Sequence, residues 1–166
     1  MSLKNYTPNF AATKIIASTL IFLDTIFLLA LSPALAQTQN KQESRECRTA
    51  LQAAKKKIES GRRVRVVRIS KRDISEKYSD YPRNKPFDYL FAMRGAGTES
   101  VLSSERFILS IATSVIKNCP SVSMVSFGLD NTGYLIITGL VGENKVQAFE
   151  CIGTEGNPRW GQTLCI

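Results

Sequence analysis

Apolar side chains recur along this chain at two periods. Downstream of Ser44, the residues Cys47, Ala50, Leu51, Ala54 and Ile58 stand three and four apart, Ser44 occupies a capping position, and Gly61 follows the last periodic residue. That spacing predicts a helix over 45–60 whose narrow apolar stripe must rest on something larger. Phe107, Ile108, Ile111, Ala112, Val115 and Ile116 form a wider stripe, opened by Ser104 and stopped by Asn118-Cys119-Pro120, and predict the central core helix.

The other segments follow period two. Residues 62–70 read Arg63, Val64, Arg65, Val66 and then slip phase to Val67, Arg68, Ile69, which predicts a strand with a bulge. Phe87, Tyr89, Phe91 and Met93 alternate with Asp88, Leu90, Ala92 and Arg94, so this strand is expected to be covered on one face and partly on the other; Gly95-Ala96-Gly97 ends it. Three apolar runs follow Pro120, at 122–129, 134–141 and 146–152, separated by Asp130-Asn131-Thr132-Gly133 and Gly142-Glu143-Asn144-Lys145. Both separators have hairpin chemistry and predict an antiparallel meander. Residues 71–86, punctuated by Asp73, Ser75, Asp80, Pro82, Asn84 and Pro86, read as a long loop. The order α-β-β-α-β-β-β predicts an α+β domain with two helices packed on one face of a mainly antiparallel five-stranded sheet.

The first stretch has a different character. Lys4 and Lys14 precede a largely apolar run from Ile15 to Leu31, and Ser32-Pro33-Ala34-Leu35-Ala36 ends in an A-x-A box, which together read as a secretory signal over 1–36 cleaved before Gln37. Asp24 interrupts the run, and a carboxylate there costs about 2.5–3.5 kcal/mol on the membrane-insertion scale, so the segment would make a weak permanent anchor; an uncleaved anchor is the competing reading. Residues 37–44 are polar and read as a disordered lead-in, leaving 45–166 as a single domain. No later run approaches the length needed to span a bilayer.

Charge sharpens the picture. Of 22 Lys+Arg and 14 Asp+Glu, removal of 1–36 leaves 20 and 13, a net charge of +7. Residues 37–72 hold 12 basic and 3 acidic side chains, or +9, whereas residues 73–166 hold 8 and 10, or −2. The four cysteines, Cys47, Cys119, Cys151 and Cys165, all lie beyond the signal, and an even set in an exported chain reads as two disulfides. A zinc site would be expected to use C-x-x-C pairs, which are absent here. If the two helices lie antiparallel, Cys47 meets Cys119, and Cys151 to Cys165 then ties the C-terminal tail to the last strand.

Arg159-Trp160-Gly161 with Cys165, the run Asn118-Cys119-Pro120-Ser121 followed by Met124-Val125-Ser126-Phe127-Gly128, and the Tyr81-Pro82 loop ahead of the Phe87 strand together resemble small exported proteins of cyanobacteria. The resemblance covers most of 45–166. It implies export and a single domain, and it brings no activity and no site residue.

Candidate chemistry is limited by the absence of histidine, which excludes a Ser-His-Asp or Cys-His nucleophile system, an H-E-x-x-H zinc helix and a neutral-pH imidazole switch. The strongest feature is basic. Lys55, Lys56 and Lys57 on the first helix and Arg62, Arg63, Arg65 and Arg68 on or beside the first strand point to an anionic partner, whether polysaccharide, lipid headgroup or nucleic acid bound without sequence reading. The plainer explanation is a solvated, charge-guarded edge strand. The loop over 78–86 offers Tyr81 and Arg83 as anchors for a protein partner, as an inhibitor of a secreted enzyme would, although most such loops are connections packed by their tyrosines. Trp160 reads as a lid over the sheet or as an anchor. Asp73, Glu76, Asp80 and Asp88 would have to converge to support a carboxylate-dependent hydrolase, and read more simply as charge complements. No phosphate-loop motif and no cofactor signature is present. The expected protein is an exported, disulfide-stapled, basic binding module, periplasmic or secreted, with an inhibitor or a histidine-free hydrolase as alternatives.

Overall fold

The computed structural model describes residues 45–165. The expected signal segment over 1–36, its cleavage point, the 37–44 lead-in and the Ser44 cap lie outside the described residues, as does residue 166. Among the described residues no helix is long and apolar enough to cross a membrane.

The first helix, α1, runs over 45–59 and buries Ala50, Leu51, Ala54 and Ile58, the stripe the spacing predicts. Next come β1 (Arg65–Asp73), β2 (Phe87–Arg94), the short helix α2 (Thr98–Leu102), the long helix α3 (Glu105–Asn118), then β3 (Val122–Leu129), β4 (Leu135–Val141) and β5 (Lys145–Ala148). Two further short strands, β6 (Glu150–Cys151) and β7 (Gln162–Thr163), pair parallel in the C-terminal segment. The main sheet has the order β1-β2-β3-β4-β5, antiparallel throughout except for the central β2–β3 pair, whose parallel crossover is made by α2 and α3. This is the expected α+β architecture with two small additions, α2 and the β6–β7 pair. The expected bulge is present as a register shift between Val66 and Arg68.

Alternation sorts each strand onto two faces. Val66, Phe91, Met93, Val125 and Phe127 meet Leu51, Ala54, Ile58, Ile108, Ile111, Ala112 and Val115 in the larger core beneath the helices. Cys47 and Cys119 form a disulfide with Cα atoms 4.5 Å apart, tying α1 to the end of α3. Ser104 occupies the N-cap of α3, yet its hydroxyl makes no cap hydrogen bond, so the expected cap contributes position and no side-chain bond.

The opposite face is covered by loops. Ile74 and Tyr78 from the 74–86 connection and Phe149 from the C-terminal segment bury themselves against Met124 and Ile137, with Tyr81, Leu135 and Trp160 packed around them. Tyr78, Phe149 and Trp160 meet edge to face in all three pairings, with ring centroids 5.0–5.8 Å apart. Gly139 makes this possible, since a Cβ there would lie 2.3 Å from the Phe149 ring. The run expected as one strand over 146–152 divides at Phe149. The Phe149 amide still donates to the Ile137 carbonyl, but the Glu150 and Ile152 amides donate to Gly161 and Thr163 instead, and Cys151 is joined to Cys165. The first strand keeps its expected length but is shifted by three residues, starting at Arg65 and continuing to Asp73, where Arg72 finds a buried partner in Asp88.

Candidate functional site

Strand alternation and pairing register gather arginines at one end of the sheet. Val64 and Val66 turn inward, so Arg63 and Arg65 face out, and the antiparallel register sets Arg94 opposite Arg65. The turn after β2 locks this end closed. The Gly97 amide donates to the Arg63 carbonyl at 2.9 Å, and Gly95, at φ +121°, approaches so closely that a Cβ would lie 2.5 Å from that carbonyl oxygen. Arg62 turns back over the end of α1, donating to the Lys57 and Ser60 carbonyls at 3.3 and 3.1 Å and stacking on the Phe107 ring at 4.2 Å, which suits a cation at a helix C-terminus.

The result is an open hollow of about 500 Å3 lined by Arg62, Arg63, Arg65, Arg94, Gly95, Val64 and Val67. It has four guanidinium groups and no carboxylate in its lining. Arg94 also pairs with Asp130 at the start of the β3–β4 turn. Guanidinium groups grouped in this way suit phosphate, sulfate or carboxylate oxygens, which they can grip through paired N–H donors.

The other basic candidates are dispersed. Successive helical residues turn by about 100°, so Lys55, Lys56 and Lys57 project in different directions. Lys55 pairs with Glu59 and donates to the Val66 carbonyl at 2.9 Å, while Glu59 accepts from the Val66 amide at 2.9 Å, so this pair braces α1 against the bulge. The Lys55 hydrogen bond holds the Glu59 carboxyl below its ordinary range. Lys57 donates to Ser110 at 3.1 Å. Lys56 borders a separate shallow hollow with Arg48, Thr49, Gln52 and Ala53. Arg68 is exposed on β1 and is not among the residues lining the arginine hollow. The sequence reading overlooked Arg94, whose strand is far from the basic segment in sequence; only the β1–β2 register reveals it.

Several of the remaining candidates have structural partners. Tyr81 is half-buried against the second core and Arg83 is exposed. Trp160 donates from its indole to the Leu140 carbonyl at 2.8 Å and covers the second core. The four carboxylates part company. Asp73 accepts from Ser75, which lowers its pKa, Asp80 accepts from the Trp160 amide at 3.0 Å, and Glu76 is exposed. Asp88 is fully buried, accepting from Arg72 Nε at 2.8 Å and from the Ser126 hydroxyl at 3.2 Å. Burial pushes its carboxyl up, against the opposing pull of Arg72 and Ser126. Its Oδ1 has no hydrogen-bond partner among the described residues. Burial likewise raises Tyr78, whose hydroxyl donates to the Gln162 carbonyl at 3.0 Å. Among the described residues no three His, Cys, Asp or Glu side chains group as metal ligands.

Compared with family models, curated proteins and solved structures, the chain matches none of them.

Proposed function

We infer that this chain is an extracytoplasmic binding module for an anionic partner, engaged through the arginines at the end of β1 and β2. The observation that carries the reading is the grouping of Arg62, Arg63, Arg65 and Arg94 around one open hollow with no carboxylate in its lining. Two disulfides support an oxidising compartment. The basic set expected from sequence narrows to Arg62, Arg63 and Arg65, which line the hollow, since Lys55, Lys56, Lys57 and Arg68 do not; Arg62 and Arg94 line it while also bonded within the fold.

Retention on a heparin or polyphosphate column tests the reading. Binding should weaken steeply with salt, because each cation that neutralises an anionic group releases a counterion. Arg63→Glu with Arg65→Glu should abolish most of the retention, whereas Lys55→Gln, Lys56→Gln and Lys57→Gln together should remove much less. Salt-independent retention, or equal loss from the lysine and arginine sets, would refute it.

A further inference from the structure

Resting on the anionic-partner reading, we propose that the arginine-rich end of the sheet docks on an anionic lipid bilayer. Two separate distributions share this end, with Arg65 and Arg94 on one face of the sheet and Leu129 with Tyr134 on the helix-covered face. The first is charge, in the four guanidinium groups around the hollow. The second is bare apolar surface. Among the described residues, the large hydrophobic side chains left exposed are Val67 at 46%, Leu129 at 39%, Tyr134 at 50% and Ile152 at 39%. All but Ile152 belong to this end of the sheet.

Their placement follows from the register. Val67 is the bulge residue and lines the hollow together with the arginines. Leu129 pairs with Met93, the residue before Arg94, and the next residue, Asp130, holds the Arg94 guanidinium and donates its amide to the Met93 carbonyl at 2.8 Å. Tyr134 accepts the Leu129 amide at 3.3 Å, which sets Leu129 and Tyr134 side by side across the β3–β4 turn.

Charge alone would suit any polyanion. A soluble glycan or nucleic acid neutralises guanidinium groups but gives little reason to leave Val67 beside them, and Leu129 at the same end of the sheet, in water. A bilayer answers both features, because its anionic phosphates face the arginines while the layer beneath receives aliphatic side chains and an interfacial tyrosine. The long arginine stems allow the charged groups to stay at headgroup level while the chain end settles.

The test uses the exported protein as purified, with both disulfides formed and its folding verified by a cooperative thermal melt. Co-sedimentation is measured with phosphatidylcholine vesicles with and without phosphatidylglycerol, and heparin retention is measured in parallel. Binding should require phosphatidylglycerol and fall by at least roughly 25-fold for Arg63→Glu with Arg65→Glu, from about fivefold for each of the two positive charges lost at an anionic surface. Leu129→Ser with Tyr134→Ser should weaken vesicle binding by about fivefold while leaving heparin retention unchanged. Heparin retention without vesicle binding would overturn the bilayer proposal and leave the anionic-partner reading standing. Loss of both would overturn both. Vesicle binding indifferent to the apolar pair, or to the arginine pair, would also overturn the proposal.

Discussion

Arg72 and Asp88 stand opposite each other in the β1–β2 pair, and the Arg72 guanidinium donates to a single carboxylate oxygen of Asp88, which also accepts from Ser126 on β3. One partner is fully buried and the other reaches solvent, with side-chain exposures of 0% and 37%. Removing the arginine strands a carboxylate in the second core, so Arg72→Leu should destabilise by about 3 kcal/mol, the lower end for a broken buried pair. Arg72→Leu with Asp88→Leu should recover most of that loss, because neither charge is then left alone. Urea unfolding of the two single variants and the double variant measures the coupling; strictly additive losses would show that the pair acts as two independent residues.

The same carboxyl sets a pH dependence of unusual sign. Burial raises the Asp88 pKa above its ordinary 3.8, so the folded chain holds this proton more firmly than the unfolded chain. Its contribution to stability is complete below the ordinary value and is lost as pH rises through the higher folded value. Glu59 runs the other way, since its lowered pKa gives stability that is present above 4.5 and lost as pH falls. Asp88→Asn should therefore flatten the decline on the alkaline side of the carboxylate range, and Glu59→Gln should flatten only the acid limb. Denaturation midpoints recorded across pH check both, and an unaltered profile in Asp88→Asn would contradict the assignment.

The disulfides should differ in their effect on stability. They close loops with sequence separations of 72 and 14, which on the chain-entropy model correspond to about 4 and 3 kcal/mol respectively. Paired Cys→Ala replacements at Cys47 and Cys119 should lower the melting temperature more than those at Cys151 and Cys165. The second pair should act locally, increasing proteolysis of the C-terminal segment; the reverse ranking would argue against the entropic account.

At Gly139 the absence of a side chain makes room for Phe149 and Trp160. Gly139→Ala should overpack that contact and cost about 1–3 kcal/mol. Trp160 fluorescence should shift to longer wavelength as the indole is pushed outward, while Gly142→Ala, with open space around its Cβ direction and only its positive φ to oppose it, should leave that emission unchanged.

The parts of the fold that were legible in the sequence share one property: a periodic apolar stripe bounded by turn chemistry. The α3 stripe and the β3–β4–β5 meander met that condition, and the Val66–Arg68 bulge was legible as a slip in the alternation. The shift of β1 to end at Asp73 did not meet it, because Lys71, Arg72 and Asp73 are polar and their distant partners on β2, Asp88 among them, justify a strand there. The division at Phe149 was equally hidden, since the 146–152 run stays apolar or cross-strand compatible while its hydrogen-bond partner changes from β4 to the 161–163 segment. Basic character was plain in the composition, yet its focus was not. Lys55 was bound to Glu59 by helix geometry and to the Val66 carbonyl by the packing of the first helix on β1, and Arg94 entered through register.

Both disulfides join cysteines that are consecutive along the chain, Cys47 with Cys119 and Cys151 with Cys165. A chain that emerges from its N-terminus therefore presents each thiol with its native partner before any competing one appears. Cys119 reaches Cys47 while Cys151 and Cys165 are still to come, and once the first bond has closed the last two have only each other. Correct pairing can thus be reached in order of appearance, with no step of bond exchange.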